Sequence, residues 1–129
     1  KHGQYEVKLT GLHPYTDVPY QVFIDKDALK TMKLSFRTAP ADSRPVRMLI
    51  FADSHTNAET LPKIAASALA DGTDLAVGVG DLVNQAQEPQ WNVFFEGLRP
   101  LLHRVVLWPV LGNHEARGQS YFDAFVVPG

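Results

Sequence analysis

Val77-Gly78-Val79-Gly80-Asp81-Leu82-Val83-Asn84 is the stretch that decides the fold, because an apolar run ends there in a glycine and a carboxylate. This pattern is typical of a buried strand that delivers a polar residue to the carboxyl edge of a parallel sheet. Residues 48–52 form a second apolar run, which leads into Asp53-Ser54-His55. Residues 105–111 form a third, which leads into Gly112-Asn113-His114-Glu115. The sequence therefore predicts three strands that each end in residues able to bind a metal or move a proton.

Two helical patterns separate these predicted strands. The first is bounded by Asn57 as N-cap and by Gly72 just after its last turn. The second has Pro89 in its first turn, and Pro100 should kink or end it. A short helix is also expected over residues 121–127. Apolar residues recur at helical spacing on one face of each long helix, which predicts a buried stripe: Leu61, Ile64, Ala65, Ala68 and Leu69, then Trp91, Phe94, Phe95 and Leu98.

The first 39 residues show strand-like alternation instead. Three half-buried strands are predicted, around Val7, Val22 and Leu34, with a polar hairpin loop over residues 25–28. Residues 40–46 have the proline, serine and charge content of a linker. After the linker, strand and helix alternate over residues 47–129, which predicts an α/β unit with a mainly parallel sheet.

The composition of the chain narrows its possible functions. Its 129 residues, 45% of them hydrophobic and 20% charged, suit one ordinary domain or an incomplete domain joined to part of another. A formal charge of −2 predicts no nucleic-acid-binding patch. No run approaches the roughly 18 apolar residues of a membrane-spanning helix. Because there is no cysteine, any metal must be bound by Asp, Asn, His or Glu side chains.

The residues at the strand ends suit a metal site. Asp53 and His55 are two positions apart, so in an extended chain their side chains point the same way and one cation could bind both. Asp81 has two carboxylate oxygens, enough to bridge two cations. Asn113 offers a neutral carbonyl oxygen, and His114 a nitrogen that can bind a metal, donate to phosphate or move a proton.

Each motif alone has an ordinary structural explanation. Asp53-x-His55 occurs often in solvated turns, and in Gly80-Asp81 the carboxylate could cap the following helix. The sequence of residues 112–115, Gly-Asn-His-Glu, is much less frequent by chance. All three motifs, in this order and each at the end of a predicted strand, make coincidence remote.

Together the three motifs resemble the first three motifs of the calcineurin-like metallophosphoesterase superfamily. The segment over residues 1–39 resembles the last strands of a fibronectin type III-like β-sandwich, and such a sandwich before the catalytic domain is the arrangement of purple acid phosphatases. The resemblance implies an α/β fold: the amino-terminal half of a metallophosphoesterase βαβαβ sandwich, preceded by the end of a β-sandwich domain. It also implies that the chain stops after the third motif.

The same resemblance implies hydrolysis of phosphate esters at a dinuclear centre of two divalent metal ions, with a bridging hydroxide as nucleophile. Asp53 and His55 would bind the first metal, Asp81 both metals and Asn113 the second, while His114 would be the catalytic residue beside the substrate. Manganese, iron(II) and zinc all suit oxygen and imidazole ligands, so the identity of the metal stays open.

Two departures from the pattern leave an alternative open. Asn84 stands where purple acid phosphatases have the tyrosine of their coloured iron site, and His55 where they have glycine, so a colourless site is expected. The family also supplies further histidines later in the domain, and no histidine follows His114 here. The alternative is therefore a non-catalytic fragment or binding module that lacks ligands for two metals. A half-complete sheet would also expose an apolar face and favour self-association.

Overall fold

The computed structural model describes residues 6–24, 27–28, 34–116 and 118–126. Within these ranges none of the helices has the length and apolar character needed to cross a bilayer. The elements follow in chain order: β1 (Asp17–Tyr20), β2 (Phe23–Ile24), β3 (Asp27–Ala28), β4 (Leu34–Arg37), β5 (Met48–Phe51), α1 (Thr60–Ala70), β6 (Leu75–Val79), α2 (Glu88–Leu102), β7 (Val106–Val110) and α3 (Ser120–Ala124).

Strands β5, β6 and β7 form a parallel sheet with β6 in the centre. Leu75 of β6 pairs with Met48 on one side and with Val106 on the other, so the three strands run in step to the same edge. The predicted α/β architecture with a parallel sheet is confirmed. Its consequence for function is that the three polar segments after β5, β6 and β7 leave the sheet at one edge.

The helices cover one face of this sheet and form the core with it. The helix begins at Thr60 with Glu59 as its N-cap, later than the predicted N-cap Asn57. Asn57 lies in the preceding turn, where its Oδ1 accepts the N–H groups of Glu59 and Thr60. Gly72 follows the helix with a left-handed φ of +68°, as predicted. The buried core includes Leu61, Ala65, Ala68, Trp91, Phe94 and Leu98 of the helices and Ala76 of the sheet, and Leu49, Phe51 and Leu107 of the sheet pack against it.

The ends of α2 and α3 differ slightly from the prediction. Pro89 lies in the first turn of α2 as expected, but Pro100 does not end the helix, which continues to Leu102. A proline removes one hydrogen bond near the end of a helix, and the buried Leu101 keeps the last turn packed on the core. The third helix begins at Ser120 and ends at Ala124, so it is shorter than predicted, and residues 127–129 lie outside the described residues.

The other face of the sheet is not covered by the described residues. Side chains alternate along the strands, so that Ile50 is 64% exposed and Trp108 50% exposed while their neighbours face the helices. We call this surface the open sheet face, and its residues are Met48, Ile50, Leu75, Val77, Val79, Val106, Trp108 and Val110. Parallel sheets are normally covered on both faces, so a bare apolar face of this kind is unusual.

The amino-terminal segment contains two small antiparallel sheets. β1 pairs with β4, in register Tyr20 with Leu34, and β2 pairs with β3. The predicted strand around Val22 is interrupted there, because β1 ends at Tyr20 and β2 begins at Phe23. In the predicted hairpin loop over residues 25–28, residues 27–28 form a strand instead, and residues 25–26 lie outside the described residues. The predicted strand around Val7 is wrong: residues 6–10 form no strand, and Val7 is 77% exposed. A segment with alternating apolar residues becomes a strand only where a neighbouring strand supplies hydrogen bonds and an apolar surface. Within the described residues, β1 and β4 pair with each other and not with residues 6–10.

Specific polar contacts join this segment to the α/β part. The Tyr20 hydroxyl donates to the carbonyl oxygen of His103, at the end of α2, at 3.1 Å, and burial raises the pKa of this tyrosine. Arg37 binds both carboxylate oxygens of Asp17 at 2.9 Å and reaches Asp74, after α1, at 4.0 Å. The hydrogen bonds from Arg37 lower the pKa of Asp17. These contacts dock β1 and β4 beside the edge of the sheet opposite the three polar loops.

Candidate metal centre

The loop after β5 continues alongside the loop after β6 beyond the ends of the strands. The N–H group of His55 donates to the carbonyl oxygen of Asp81, and that of Thr56 to Leu82, both at 3.2 Å. The hydroxyl of the buried Ser54 also donates to the Leu82 carbonyl oxygen, at 2.9 Å. The parallel ladder is thus extended by irregular backbone, which fixes the two predicted ligand segments against each other.

These loops have an unusual backbone conformation. Asp53, His55, Thr56 and Asp81 have positive φ angles of 51°, 44°, 61° and 51°. The extended geometry expected for Asp53 and His55 is therefore wrong, because the chain turns at both positions. Left-handed conformations of residues other than glycine cost about 1–3 kcal/mol each and are concentrated at functional sites. Packing and hydrogen bonds of the surrounding loops must compensate for this cost.

Two glycines allow the loops after β6 and β7 to touch. A Cβ atom on Gly80 would lie 2.9 Å from the Cα atom of Gly112. A Cβ atom on Gly112 would lie 2.2 Å from both the backbone nitrogen and Oδ1 of Asp81, which no real side chain tolerates. Glycine at both positions therefore brings the segments that carry Asp81 and His114 into direct backbone contact.

Three of the predicted site residues converge where these loops meet. One ligand atom each from His55, Asp81 and His114 lies within 4.8 Å of the others. The two imidazole rings meet edge to face, with centroids 4.8 Å apart. The Nδ1 atom of His55 is buried and finds no hydrogen-bond partner among the described residues, although a buried polar atom normally has one. Two imidazoles, one of them with an unpaired nitrogen, and a carboxylate fit a divalent metal ion.

Asn84 orients both histidines. Its backbone carbonyl oxygen lies 2.7 Å from Nδ1 of His114, and its side-chain Nδ2 donates to the carbonyl oxygen of His55 at 2.9 Å. Because a carbonyl oxygen only accepts, the first contact requires the proton of His114 on Nδ1. The Nε2 atom of the neutral ring is then the one that can bind a metal or accept a proton.

The remaining two predicted ligands lie at the rim. The Asp53 side chain is 70% exposed, with Oδ1 3.7 Å from Nε2 of His55. Asn113 is exposed and lines an open cavity of about 520 Å³ beside His114. The other residues around that cavity are Asn84, Gln85, Ala86, Gln87 and Gly118. The metal-binding roles of Asp53, His55, Asp81 and Asn113 stay predictions, as does the catalytic role of His114.

The sequence analysis gave no role to two residues that shape this site. Glu115 is fully buried, and its carboxylate accepts hydrogen bonds from backbone N–H groups of the two neighbouring loops. The feature of the sequence that could have indicated a role for Glu115 is its position directly after Asn113-His114. The sequence analysis considered Asn84 only as a replacement for tyrosine. Its contact with His114 is made by the backbone carbonyl oxygen, which every residue type has, so the sequence could not predict it.

The comparisons with known proteins agree with this geometry. The calcineurin-like phosphoesterase family matches residues 46–128, well over half of the chain. The chain belongs to this family. The match begins just before β5 and takes in the whole sheet, both long helices and all three loops of the candidate metal centre.

Among solved structures, a purple acid phosphatase from yellow lupin (Lupinus luteus) seeds has a similar fold. The TM-score is 0.73 at 18% sequence identity, over 94% of this chain and 28% of the lupin protein. At that identity the similarity concerns the fold alone. The chain of this phosphoesterase family member therefore spans less than a third of the phosphatase that it resembles. No curated protein sequence matches it.

Proposed function

We propose that this protein hydrolyses phosphate esters at a metal centre formed by the loops after β5, β6 and β7. The observation that carries the proposal is the convergence of His55, Asp81 and His114 at the carboxyl edge of the sheet in a calcineurin-like phosphoesterase. Ligands in open α/β sheets bind at this edge, where rigid strands position the residues of several loops.

The proposed centre is dinuclear. Asp53 and His55 would hold one divalent ion, Asn113 would hold the second, and Asp81 would contribute to both. When bound, such ions would supply a water of lowered pKa as the nucleophile and would neutralise charge on the phosphoryl oxygens. The unpartnered Nδ1 of His55 and the close approach of Asp81 support the first half of this arrangement.

His114 is the proposed catalytic residue. Its Nδ1–H is engaged by the Asn84 carbonyl oxygen, so the ring acts on the substrate through Nε2. With Nε2 also protonated, the imidazolium would stabilise charge that develops on the phosphoryl group and give the Nε2 proton to the leaving oxygen. The cavity beside it is open and lined by amide side chains, which gives room for the leaving group of a phosphate ester.

We also propose a division of the chain that agrees with these roles. Residues 1–39 are part of a fibronectin type III-like domain, 40–46 are a linker, and 47–129 are the amino-terminal half of the catalytic domain. The antiparallel pairing of β1 with β4 supports a β-sheet origin for the first segment. The open sheet face further supports self-association of this chain, because pairing two such faces would remove apolar side chains from water.

The decisive experiment compares hydrolysis of an aryl phosphate monoester and its diester with added Mn²⁺, Zn²⁺ or Fe²⁺. The expected result is metal-dependent turnover, which Asp81→Ala abolishes together with binding of the metal pair. Asp71→Asn, an exposed carboxylate at the end of α1, serves as the matched control and should keep both properties. Turnover by Asp81→Ala with two metals still bound would refute the assignment. A wild-type chain that binds at most one weak ion would favour the non-catalytic alternative.

A further inference from the structure

Glu115 is a buried carboxylate with no part in the proposed chemistry. Its side chain is 0% exposed, and within the described part of the chain no cation forms an ion pair with it. Removing a carboxylate from water costs several kcal/mol unless hydrogen bonds replace its hydration. The negative charge also acts on its surroundings, since it adds to burial in raising the pKa of the neighbouring Tyr121. Such a group needs a structural or functional reason.

Backbone donors from two loops surround this carboxylate. Oε2 accepts the N–H groups of Asp81 at 2.9 Å and of Gly112 at 3.0 Å. Oε1 accepts the N–H group of Val83 at 3.0 Å. Hydrogen bonds to an ionised acceptor are roughly twice as strong as neutral ones. The side chain therefore ties the loop after β6, on both sides of Leu82, to the loop after β7.

The Asp81 side chain closes this connection in the opposite direction. Its Oδ1 accepts the backbone N–H group of His114 at 3.1 Å. The two loops are thus joined by hydrogen bonds in both directions: the Glu115 carboxylate accepts from the Asp81 backbone, and the Asp81 carboxylate accepts from the His114 backbone. The Asp81 backbone is left-handed, with φ 51°, and needs such external support.

We propose that Glu115 is a positioning residue for the metal centre: its carboxylate holds the Asp81 backbone so that the Asp81 side chain meets His55 and His114. This inference rests on the proposed function and adds to it a residue that touches neither metal nor substrate. Glutamine cannot replace it, since an amide has one acceptor oxygen and would turn an NH₂ group toward a backbone N–H group. One buried N–H group would then lose its partner.

The experiment measures Mn²⁺ affinity of the metal-free protein by calorimetry, and urea unfolding in chelator, for wild type and Glu115→Gln. Loss of a group that orients metal ligands lowers metal affinity about 10–100-fold. We therefore expect the Kd for Mn²⁺ to rise by this factor in Glu115→Gln, provided that circular dichroism shows that the variant is folded. Glu96→Gln, which removes an exposed carboxylate on α2, should leave the Kd within about twofold of wild type.

The possible results separate this inference from the proposed function. A Glu115→Gln variant that unfolds earlier in urea yet binds Mn²⁺ with the wild-type Kd would overturn the positioning role alone. A wild-type protein that binds no Mn²⁺ would overturn both. If the variant does not fold, amide hydrogen exchange of the wild type decides: the Asp81, Val83 and Gly112 amides should be protected together. Exchange of the Asp81 or Gly112 amide at the rate of an exposed loop would contradict the proposal.

Discussion

The carbonyl oxygen of Asn84 lies 2.7 Å from Nδ1 of His114, and the side chain of Asn84 reaches the carbonyl oxygen of His55 at 2.9 Å. One residue thus touches both histidines of the candidate metal centre. The contact to His114 uses the backbone and survives any substitution that keeps the loop in place. The contact to His55 uses the side chain and can be removed by mutation.

Asn84→Ala should therefore weaken the site without unfolding the protein. The loop that carries His55 loses one hydrogen bond in an exposed part of the site, which lowers the free energy of unfolding by about 1 kcal/mol. Metal affinity should fall about tenfold, at the low end of the effect of groups that orient metal ligands. Calorimetric titration with Mn²⁺ measures this change. Gln85→Ala, in the same loop, is the control, and equal losses in both variants would show that Asn84 has no special role.

The contact between Gly80 and Gly112 gives a second prediction. In Gly112→Ala the new Cβ atom would lie 2.2 Å from Asp81, so the loops after β6 and β7 must separate. We expect the variant to lose about 3 kcal/mol or more of unfolding free energy and to lose metal binding with it.

Gly11→Ala is the matched control for that variant. Gly11 has a left-handed φ of +70° but nothing within 4 Å of a Cβ atom. Alanine there should cost only about 1–2 kcal/mol, from backbone conformation, and leave Mn²⁺ binding intact. Urea unfolding and metal titration of both variants test the difference. Wild-type metal affinity in Gly112→Ala would mean that the loops can separate without harm to the site.

Much of this site could be predicted from sequence, because strand ends and metal-binding residue types are both visible in it. The apolar runs placed Asp53, Asp81 and Asn113 at one edge of the sheet. What sequence could not supply is conformation: the left-handed backbone at Asp53 and Asp81 depends on bonds between loops about thirty residues apart. For the same reason Glu115, an ordinary charged residue in composition, gave no sign of being buried.

The open sheet face leads to a prediction about association. Trp108, midway along the edge strand β7, is 50% exposed on this apolar surface, on the side of the sheet away from the helices. If the surface pairs with a second copy of the chain, Trp108→Lys places a charge in that contact and should raise the dissociation constant of the dimer at least tenfold. Sedimentation equilibrium over a range of protein concentrations measures it. Val93→Lys, on the exposed side of α2, should leave association unchanged, and a monomeric wild type would exclude pairing.

The fold shows where sequence patterns stop being informative. Strands β5, β6 and β7 were predictable because buried parallel strands appear in the sequence as long apolar runs. This pattern is visible without knowledge of the residues that pack against them. The strands of the amino-terminal segment were not predictable in this way, because apolar and polar residues alternate around Val7 just as they do around Leu34. Of these two residues, Leu34 alone has a strand partner within the described residues, Tyr20, and a surface to pack on. Whether such a segment forms a strand depends on a pairing partner that is distant in sequence, and a local residue pattern does not identify that partner.

Tyr121 gives a prediction about alkaline pH. It is buried in the core, and its hydroxyl donates to the Pro109 carbonyl oxygen at 3.1 Å. Burial and, to a smaller extent, the charge of Glu115 raise its pKa above the ordinary value of 10.0. The folded protein therefore keeps this proton more tightly than the unfolded chain. The resulting stability is fully present below pH 10.0 and is lost as pH rises from there through the folded pKa.

Tyr121→Phe should remove this dependence. Near neutral pH the variant loses one buried hydrogen bond and about 1 kcal/mol of unfolding free energy. Above about pH 10 the wild type should lose stability faster than the variant, by up to about 1.4 kcal/mol per pH unit for one proton, so the two curves converge. Urea unfolding at intervals from pH 7 to 11 measures both curves. Tyr20→Phe, which removes a hydroxyl at the contact with α2, provides the comparison for a second phenol whose pKa is raised by burial. Parallel curves for wild type and Tyr121→Phe would show that Tyr121 keeps an ordinary pKa in the folded protein.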